Sequence, residues 1–215
     1  MGVGLSNLNK ILVLAPHTDD GEFGCGGSIA KFIEEGKEVY YAAFSIAEKS
    51  VPAGFPRDIL ADEVKEATAK LGINPDHLFI YRYEVRNFPS RRQDILDDLI
   101  ELNDKISPDM VFLPSTKDTH QDHQVITEEG FRAFKKTTLL GYEIPWNNLT
   151  FETNAFIFLK PCHLEKKLES LKCYFSQFGR NYATAEFIQA LALTRGIQIG
   201  AEYAEVFEAI RWIIK

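Results

Sequence analysis

Ile11-Leu12-Val13-Leu14-Ala15-Pro16, followed at once by His17-Thr18-Asp19-Asp20-Gly21, decides how this chain folds. The apolar run from Ile11 to Ala15 reads as a buried strand, and the polar residues after it bring an imidazole and two carboxylates to its end. Working outward, Cys25 to Glu35 reads as a helix ended by Gly36, and Glu38 to Ser45 as a second strand. Arg57 to Leu71 is an amphipathic helix stopped by Gly72, with Leu60, Val64, Ala67, Thr68 and Leu71 on one face. His77 to Tyr81 is a short strand and Arg91 to Ile106 a helix stopped near Pro108. Met110 to Pro114 is another buried strand and Asp122 to Lys136 another helix. This alternation predicts an α/β protein with a doubly wound, mostly parallel sheet and helices on both faces. The pattern changes from Leu139. Leu139 to Ile144 and Asn154 to Leu159 read as strands, Cys162 to Cys173 and Phe187 to Arg195 as helices, and Tyr203 to Ile214 as either. No linker or repeat interrupts the chain, so one domain over residues 1–215 is expected.

Composition narrows the function classes. A net charge of -7 and a pI near 5.3 argue against a broad nucleic-acid surface. Cys25, Cys162 and Cys173 are odd in number and form no CxxC pair, which favours a reducing compartment, and a cytoplasmic protein is expected. Ile11 to Pro16 is too short for a transmembrane helix or a signal-peptide core, so no stable membrane insertion is expected. Met1-Gly2-Val3-Gly4-Leu5-Ser6 formally fits an N-myristoylation pattern, but no polybasic stretch supports it.

A second cluster, His120-Gln121-Asp122-His123, follows the Met110 to Pro114 strand. Ligand crevices of open parallel sheets lie beyond the carboxyl ends of the strands, which is where both clusters stand. Either alone has a plain reading, since an Asp-Asp pair in a loop commonly bonds nearby backbone N–H groups. Together they gather three of the five histidines at one rim. Two such clusters supply the mixed nitrogen and oxygen ligands of a catalytic zinc site, with a carboxylate and a histidine left for proton transfer. Metal-assisted hydrolysis is the expectation. Gly24-Cys25-Gly26-Gly27 looks like a phosphate-binding turn, but Ile29 stands where a dinucleotide fingerprint needs glycine or alanine. Those glycines are expected to start the helix instead, and Cys25 reads as a small buried residue rather than a nucleophile.

The stretch Ala15 to Gly27 resembles the signature of the LmbE-like (PIG-L) deacetylases, which opens with His-Pro-Asp-Asp. His120-Gln121-Asp122-His123 is similar to that family's His-x-Asp-His motif. Glu63, Ala67 and Leu71-Gly72 match its helix after the second strand, and Gly200 to Phe207 resembles its Gly-x-x-Tyr-Ala-Glu-x-Phe stretch. The resemblance implies a Rossmann-like fold and zinc-dependent removal of acetyl groups from N-acetylated amino sugars. It implies His17, Asp20 and His123 as the zinc ligands and Asp19 as the general base. It further implies a protonated His120 that stabilises the oxyanion or protonates the leaving amine, with Asp122 orienting that imidazole. Thr18 stands for the usual proline, Gly21 for a frequent acidic residue, and Leu60 for a frequent basic one.

For the substrate, Ile46 to Arg57 reads as a lid loop at the same rim. Arg57 and Arg86 are candidates to hold an anionic part of the substrate, because a guanidinium fork suits phosphate and carboxylate. Arg91 and Arg92 read at least as well as a solvated helix start paired with acids. Trp146 is a candidate aromatic plate for the sugar. The expected partner is a small acetylated amino-sugar molecule, with homo-oligomerisation left open. Two alternatives keep the metal: an amidase acting on another acyl-amide conjugate, and a catalytically silent binding domain.

Overall fold

The apolar run of the opening stretch forms β1 (Lys10–His17), and its period-two alternation is buried on both sides. Ile11, Val13 and Ala15 join one hydrophobic cluster, while Leu12 and Leu14 join another on the opposite face. The computed structural model describes residues 8–177 and 179–214. The Met1 to Ser6 pattern lies outside them. Among the described residues the remaining strands are β2 (Glu38–Ser45), β3 (Leu78–Ile80), β4 (Met110–Pro114), β5 (Thr138–Tyr142), β6 (Ala155–Leu159) and β7 (Tyr203–Arg211). They form one sheet in the order β3-β2-β1-β4-β5-β7-β6. The first five strands in that order are parallel, and β7 runs antiparallel to both β5 and β6. The segment left open between helix and strand is therefore a strand. The helices are α1 (Asp20–Glu34), α2 (Ile59–Leu71), α3 (Arg92–Ile106), α4 (Gln121–Ala133), α5 (Pro161–Leu171) and α6 (Ala185–Ile197). Ile29 and Phe32 of α1, Val64 of α2 and Leu164 of α5 cover one face, and Leu99 of α3 and Ile126 of α4 cover the other.

This is the doubly wound α/β architecture that the alternation predicts. Crossovers from β1 lead outward through β2 to β3, and those from β4 lead the other way to β5. The order therefore reverses between β1 and β4, and a crevice opens at their carboxyl ends. Among the described residues no helix is long and apolar enough to cross a membrane.

One boundary departs from expectation. Most elements begin and end within three residues of the sequence reading, but α1 starts at Asp20 and not at Cys25. The glycines do not start the helix; they lie inside it, where close packing requires them. A Cβ on Gly24 would stand 2.4 Å from the Tyr142 ring, and one on Gly21 would stand 2.5 Å from the Tyr41 ring. Tertiary packing thus outweighs the poor helix propensity of glycine. The helix is broken at Cys25, whose φ of -146° and ψ of 21° are not helical. The break sets apart the Phe23 carbonyl and the Gly27 N–H, a natural i, i+4 pair. Lys167 Nζ donates to the Phe23 carbonyl at 2.6 Å, while Gly27 N and Ser28 N donate to the Glu205 carboxylate at 3.0 and 2.7 Å. Lys167 and Glu205 meet at 2.6 Å, both buried. A buried ion pair is therefore wedged into the helix and satisfies the groups the break released.

Candidate active site

β1 ends on His17, Asp19 precedes the first turn of α1, and Asp20 opens that helix. His120 sits at the N-cap of α4 with φ -73° and ψ 124°, and His123 lies within its first turn. Parallel pairing of β1 with β4 brings the two groups to one edge, although they are about a hundred residues apart. Three donor atoms converge there. His17 Nδ1 lies 3.1 Å from Asp20 Oδ2, His123 Nε2 lies 3.2 Å from the same oxygen, and the two nitrogens are 3.3 Å apart. Tetrahedral zinc with bonds of about 2.0–2.1 Å needs donors separated by about 3.3 Å. The trio has the size and the donor chemistry of three corners of such a site.

Each histidine of the trio turns its second nitrogen to a buried carboxylate. His17 Nε2 is 3.0 Å from Asp122 Oδ2, and His123 Nδ1 is 2.7 Å from Asp118 Oδ2. These contacts fix ring orientation and tautomer, as outer partners of metal-binding histidines do. Asp122 therefore orients His17 and not His120. Its carboxylate also accepts from the backbone N–H of Arg86 at 2.6 Å and of Phe88 at 3.3 Å. Its contact with His120 runs through the backbone instead: Asp122 N donates to His120 Nδ1 at 3.1 Å. Asp118 escaped the sequence reading because it looks like a turn residue; it also accepts from the His120 N–H at 2.8 Å.

Electrostatics divides the roles. Burial opposes charge on His123, but the carboxylates of Asp20 and Asp118 outweigh it and place its pKa at about 10. Burial likewise opposes charge on His17, and Asp20 and Asp122 raise its pKa nonetheless. Burial would lift Asp20, yet His123 and His17 hold it far below the ordinary carboxylate range. Asp19 is pushed up to about 6, by burial first and by the charge of Asp20 second. Among the described residues no hydrogen bond reaches its side chain from α1. His120 departs from expectation. Burial and the neighbouring His123 and His17 lower it to about 4, so at neutral pH it is uncharged. With Nδ1 accepting a backbone N–H, its Nε2 carries the proton. Nitrogens of His17, His120 and His123 also lie within 4.8 Å of one another, so this third imidazole borders the donor trio.

These groups stand in a cleft of about 560 Å³. Arg86 and Trp146 line it, as the sequence suggested, while Arg57 is exposed and is not among the lining residues. Arg91 and Arg92 are paired with Asp94 and Glu129. Arg180 and Tyr182 line the cleft without having been anticipated; they come from short turns that carry no periodic signal. Trp146 stacks on Tyr182 with ring centroids 4.0 Å apart and an 18° interplanar angle, and Phe23 packs edge-on at 5.2 Å. Glu63 accepts from Ser176 N at 2.9 Å and Ser176 Oγ at 2.6 Å, which ties that wall to α2. Beneath the loop, Glu22 bonds the hydroxyls of Tyr41 and Tyr174, and both hydroxyls also reach the Thr18 carbonyl. Burial lifts Glu22 to about 8. Cys25 is buried, its thiol pKa raised by burial, and its Sγ donates to the Gly21 carbonyl, none of which suits a nucleophile.

Residues 12–134 match the PIG-L family, described as GlcNAc-PI de-N-acetylase. The chain is similar to the uncharacterized deacetylase YaiS of Escherichia coli (strain K12), with 30% identity over 182 residues covering 78% of this chain and 93% of that one. It is also similar to the diacetylchitobiose deacetylase of Thermococcus kodakarensis, with 23% identity over 224 residues covering 93% and 82%. Among solved structures, GalB, the 4-carboxy-2-hydroxymuconate hydratase of Pseudomonas putida KT2440, aligns with a TM-score of 0.78 over 97% of this chain and 98% of that one. At 19% identity that likeness is one of fold alone.

Proposed function

The chain belongs to the PIG-L family, and from that premise we propose that it is a zinc-dependent hydrolase that removes the acetyl group from an N-acetylated amino sugar or sugar conjugate. The observation that carries this reading is the donor trio of His17, Asp20 and His123 with Asp19 and His120 beside it. Zinc held by that trio would supply Lewis acidity toward the amide carbonyl and make water a better nucleophile at neutral pH. Asp19, a carboxylate lining the cleft beside the donor trio, takes the proton from water as the water oxygen attacks the carbonyl carbon. His120, neutral and protonated at Nε2, donates a hydrogen bond to the oxygen that gains charge. When the carbon–nitrogen bond breaks, the proton held by Asp19 passes to the amine nitrogen, and acetic acid and the amine leave, the acid's proton moving to the amine to give acetate and an ammonium. Asp122 and Asp118 keep the two ligand rings in place throughout. The three unpaired cysteines accord with a cytoplasmic enzyme.

The test is a screen of acetylated amino sugars, with mass spectrometry following loss of the acetyl group. Asp19→Asn should retain its metal and lose hydrolysis by about 10²–10⁴-fold. His17→Ala and His123→Ala should lose the metal itself by elemental analysis. Undiminished metal in both histidine variants, or near-normal turnover in metallated Asp19→Asn, would refute the assignment.

A further inference from the structure

Beside the cleft lies a second, smaller cavity of about 60 Å³. It shares Asp19, Phe23, Gln177, Arg180 and Tyr182 with the cleft, so the two meet at the side chain proposed as the base. Away from that junction the walls turn apolar. Leu168 and Leu171 of α5, Ala183, and Ala185 at the start of α6 carry no polar side-chain atom. The Tyr174 hydroxyl is engaged by the Thr18 carbonyl and Glu22, which leaves its ring as the lining surface. Lys172, also at the wall, is exposed.

An amide presents two arms to a hydrolase, one on each side of the bond that breaks. A base within hydrogen-bond reach stands about 3 Å from the attacking water, and that water stands about 3–3.5 Å from the carbonyl carbon. The acyl chain therefore starts close to Asp19, where cavity and cleft meet. A sugar is the wrong occupant for such walls, because each buried hydroxyl would lack a partner. An alkyl chain suits them, and the size of the cavity sets its length. An apolar cavity of about 150 Å³ takes benzene, with six carbons, so about 60 Å³ takes two or three. Acetyl has one carbon beyond its carbonyl, whereas propionyl has two and butyryl three.

We propose that this cavity is an acyl pocket, and that acetyl is the smallest and not the best acyl group for the site: the amide hydrolysed most efficiently carries a propionyl or butyryl chain. The inference rests on the hydrolase reading of the adjoining cleft. Ala183 and Ala185 are the residues that set the chain length, since a leucine at either adds about as many carbons as the cavity holds.

The experiment follows the metal-loaded full chain on the methyl glycoside of glucosamine carrying an N-acetyl, N-propionyl, N-butyryl or N-hexanoyl group. From acetyl to butyryl, kcat/KM should rise about fourfold with each methylene buried, and hexanoyl should gain nothing further. In Ala183→Leu and in Ala185→Leu the advantage of butyryl over acetyl should fall toward one. The two positions lie on different elements, and thermal melts identify a variant that has not folded. A second readout needs no turnover. Trp146 and Trp212 are the two tryptophans, and Trp146 packs against Phe23 and Tyr182 at the junction. In an Asp19→Asn, Trp212→Phe background its fluorescence therefore reports binding of each glycoside. A flat or falling series from acetyl to butyryl overturns the inference while hydrolysis stands. So does an advantage that grows through hexanoyl and survives both substitutions, because it would come from a surface outside the cavity. If no glycoside loses its acyl group, the hydrolase reading fails instead. The fluorescence titration still decides in that case: affinity that does not rise from acetyl to butyryl overturns the acyl pocket as well.

Discussion

Two buried carboxylates orient the rings of His17 and His123, the proposed metal ligands. Asp122 and Asp118 hold the outer nitrogens at 3.0 and 2.7 Å, so the inner nitrogens present their lone pairs to the same point. Asp118→Asn and Asp122→Asn should each weaken zinc affinity by about 10–100-fold, measured by competition with a chromophoric chelator. Unchanged affinity in both would remove the orienting role. Glu22 makes a different statement, about stability and pH. Its folded pKa of about 8 stands above the ordinary glutamate value of 4.5, so the native state binds the proton more tightly than the unfolded chain. The contribution is complete below the unfolded value and is lost as pH rises through about 8. Stability should fall by up to about 1.4 kcal/mol per pH unit across that window, and Glu22→Gln should flatten the slope. Denaturant melts at three pH values check this; parallel slopes in wild type and variant count against it. At this scale the sequence revealed His17, Asp19, Asp20, His120, Asp122 and His123 as a set, because rare residue types crowd into two short motifs. It concealed Asp118 and misassigned the partner of Asp122. Ring orientation depends on where α4 begins, and spacing alone does not fix that.

The break in α1 is the element on which the site loop rests. The Lys167–Glu205 pair fills it with both charges buried, so neither partner can be removed without leaving the other exposed to an apolar interior. Glu205→Gln should cost about 3–5 kcal/mol, the range for breaking a buried pair. Adding Lys167→Met should recover part of that loss, because the stranded ammonium goes with it. Urea unfolding of the single and double variants measures both; a double variant no more stable than the single would show that the charges are not the reason. Strand positions were legible here because β2 and β4 are apolar runs with clear ends, and Glu38–Ser45 and Met110–Pro114 fall where the pattern places them. The start of α1 was not legible. The glycines from Gly24 onward read as the start of the helix until Tyr142, distant in sequence, is seen to occupy the space where a Gly24 side chain would be.

Across the whole molecule, the crevice exists because the strand order reverses between β1 and β4, a reversal the βαβα alternation already anticipated. The far wall was not legible, since Arg180 and Tyr182 lie in irregular turns that only tertiary packing brings to the cleft. A metal that binds the folded trio and not the unfolded chain stabilises the fold as a unit. Free zinc at about a hundred times its Kd should add about 2.7 kcal/mol, which is about 5–10 °C in Tm for a domain of this length. Thermal melts with and without a chelator measure it, and His17→Ala should abolish the difference; a melt insensitive to zinc would mean that the trio holds none. The distance in sequence between the two halves of the trio has one more consequence, in the order of synthesis. His17 and Asp20 leave the ribosome before His123, which emerges only after β4, and the parallel pairing of β1 with β4 must wait for the chain between them. Until then the nascent chain offers two ligands on a loop and nothing to close them. On the proposed ligand set, metal capture therefore follows the pairing of β1 with β4, and a chain that held its metal would already have joined the two halves of its sheet.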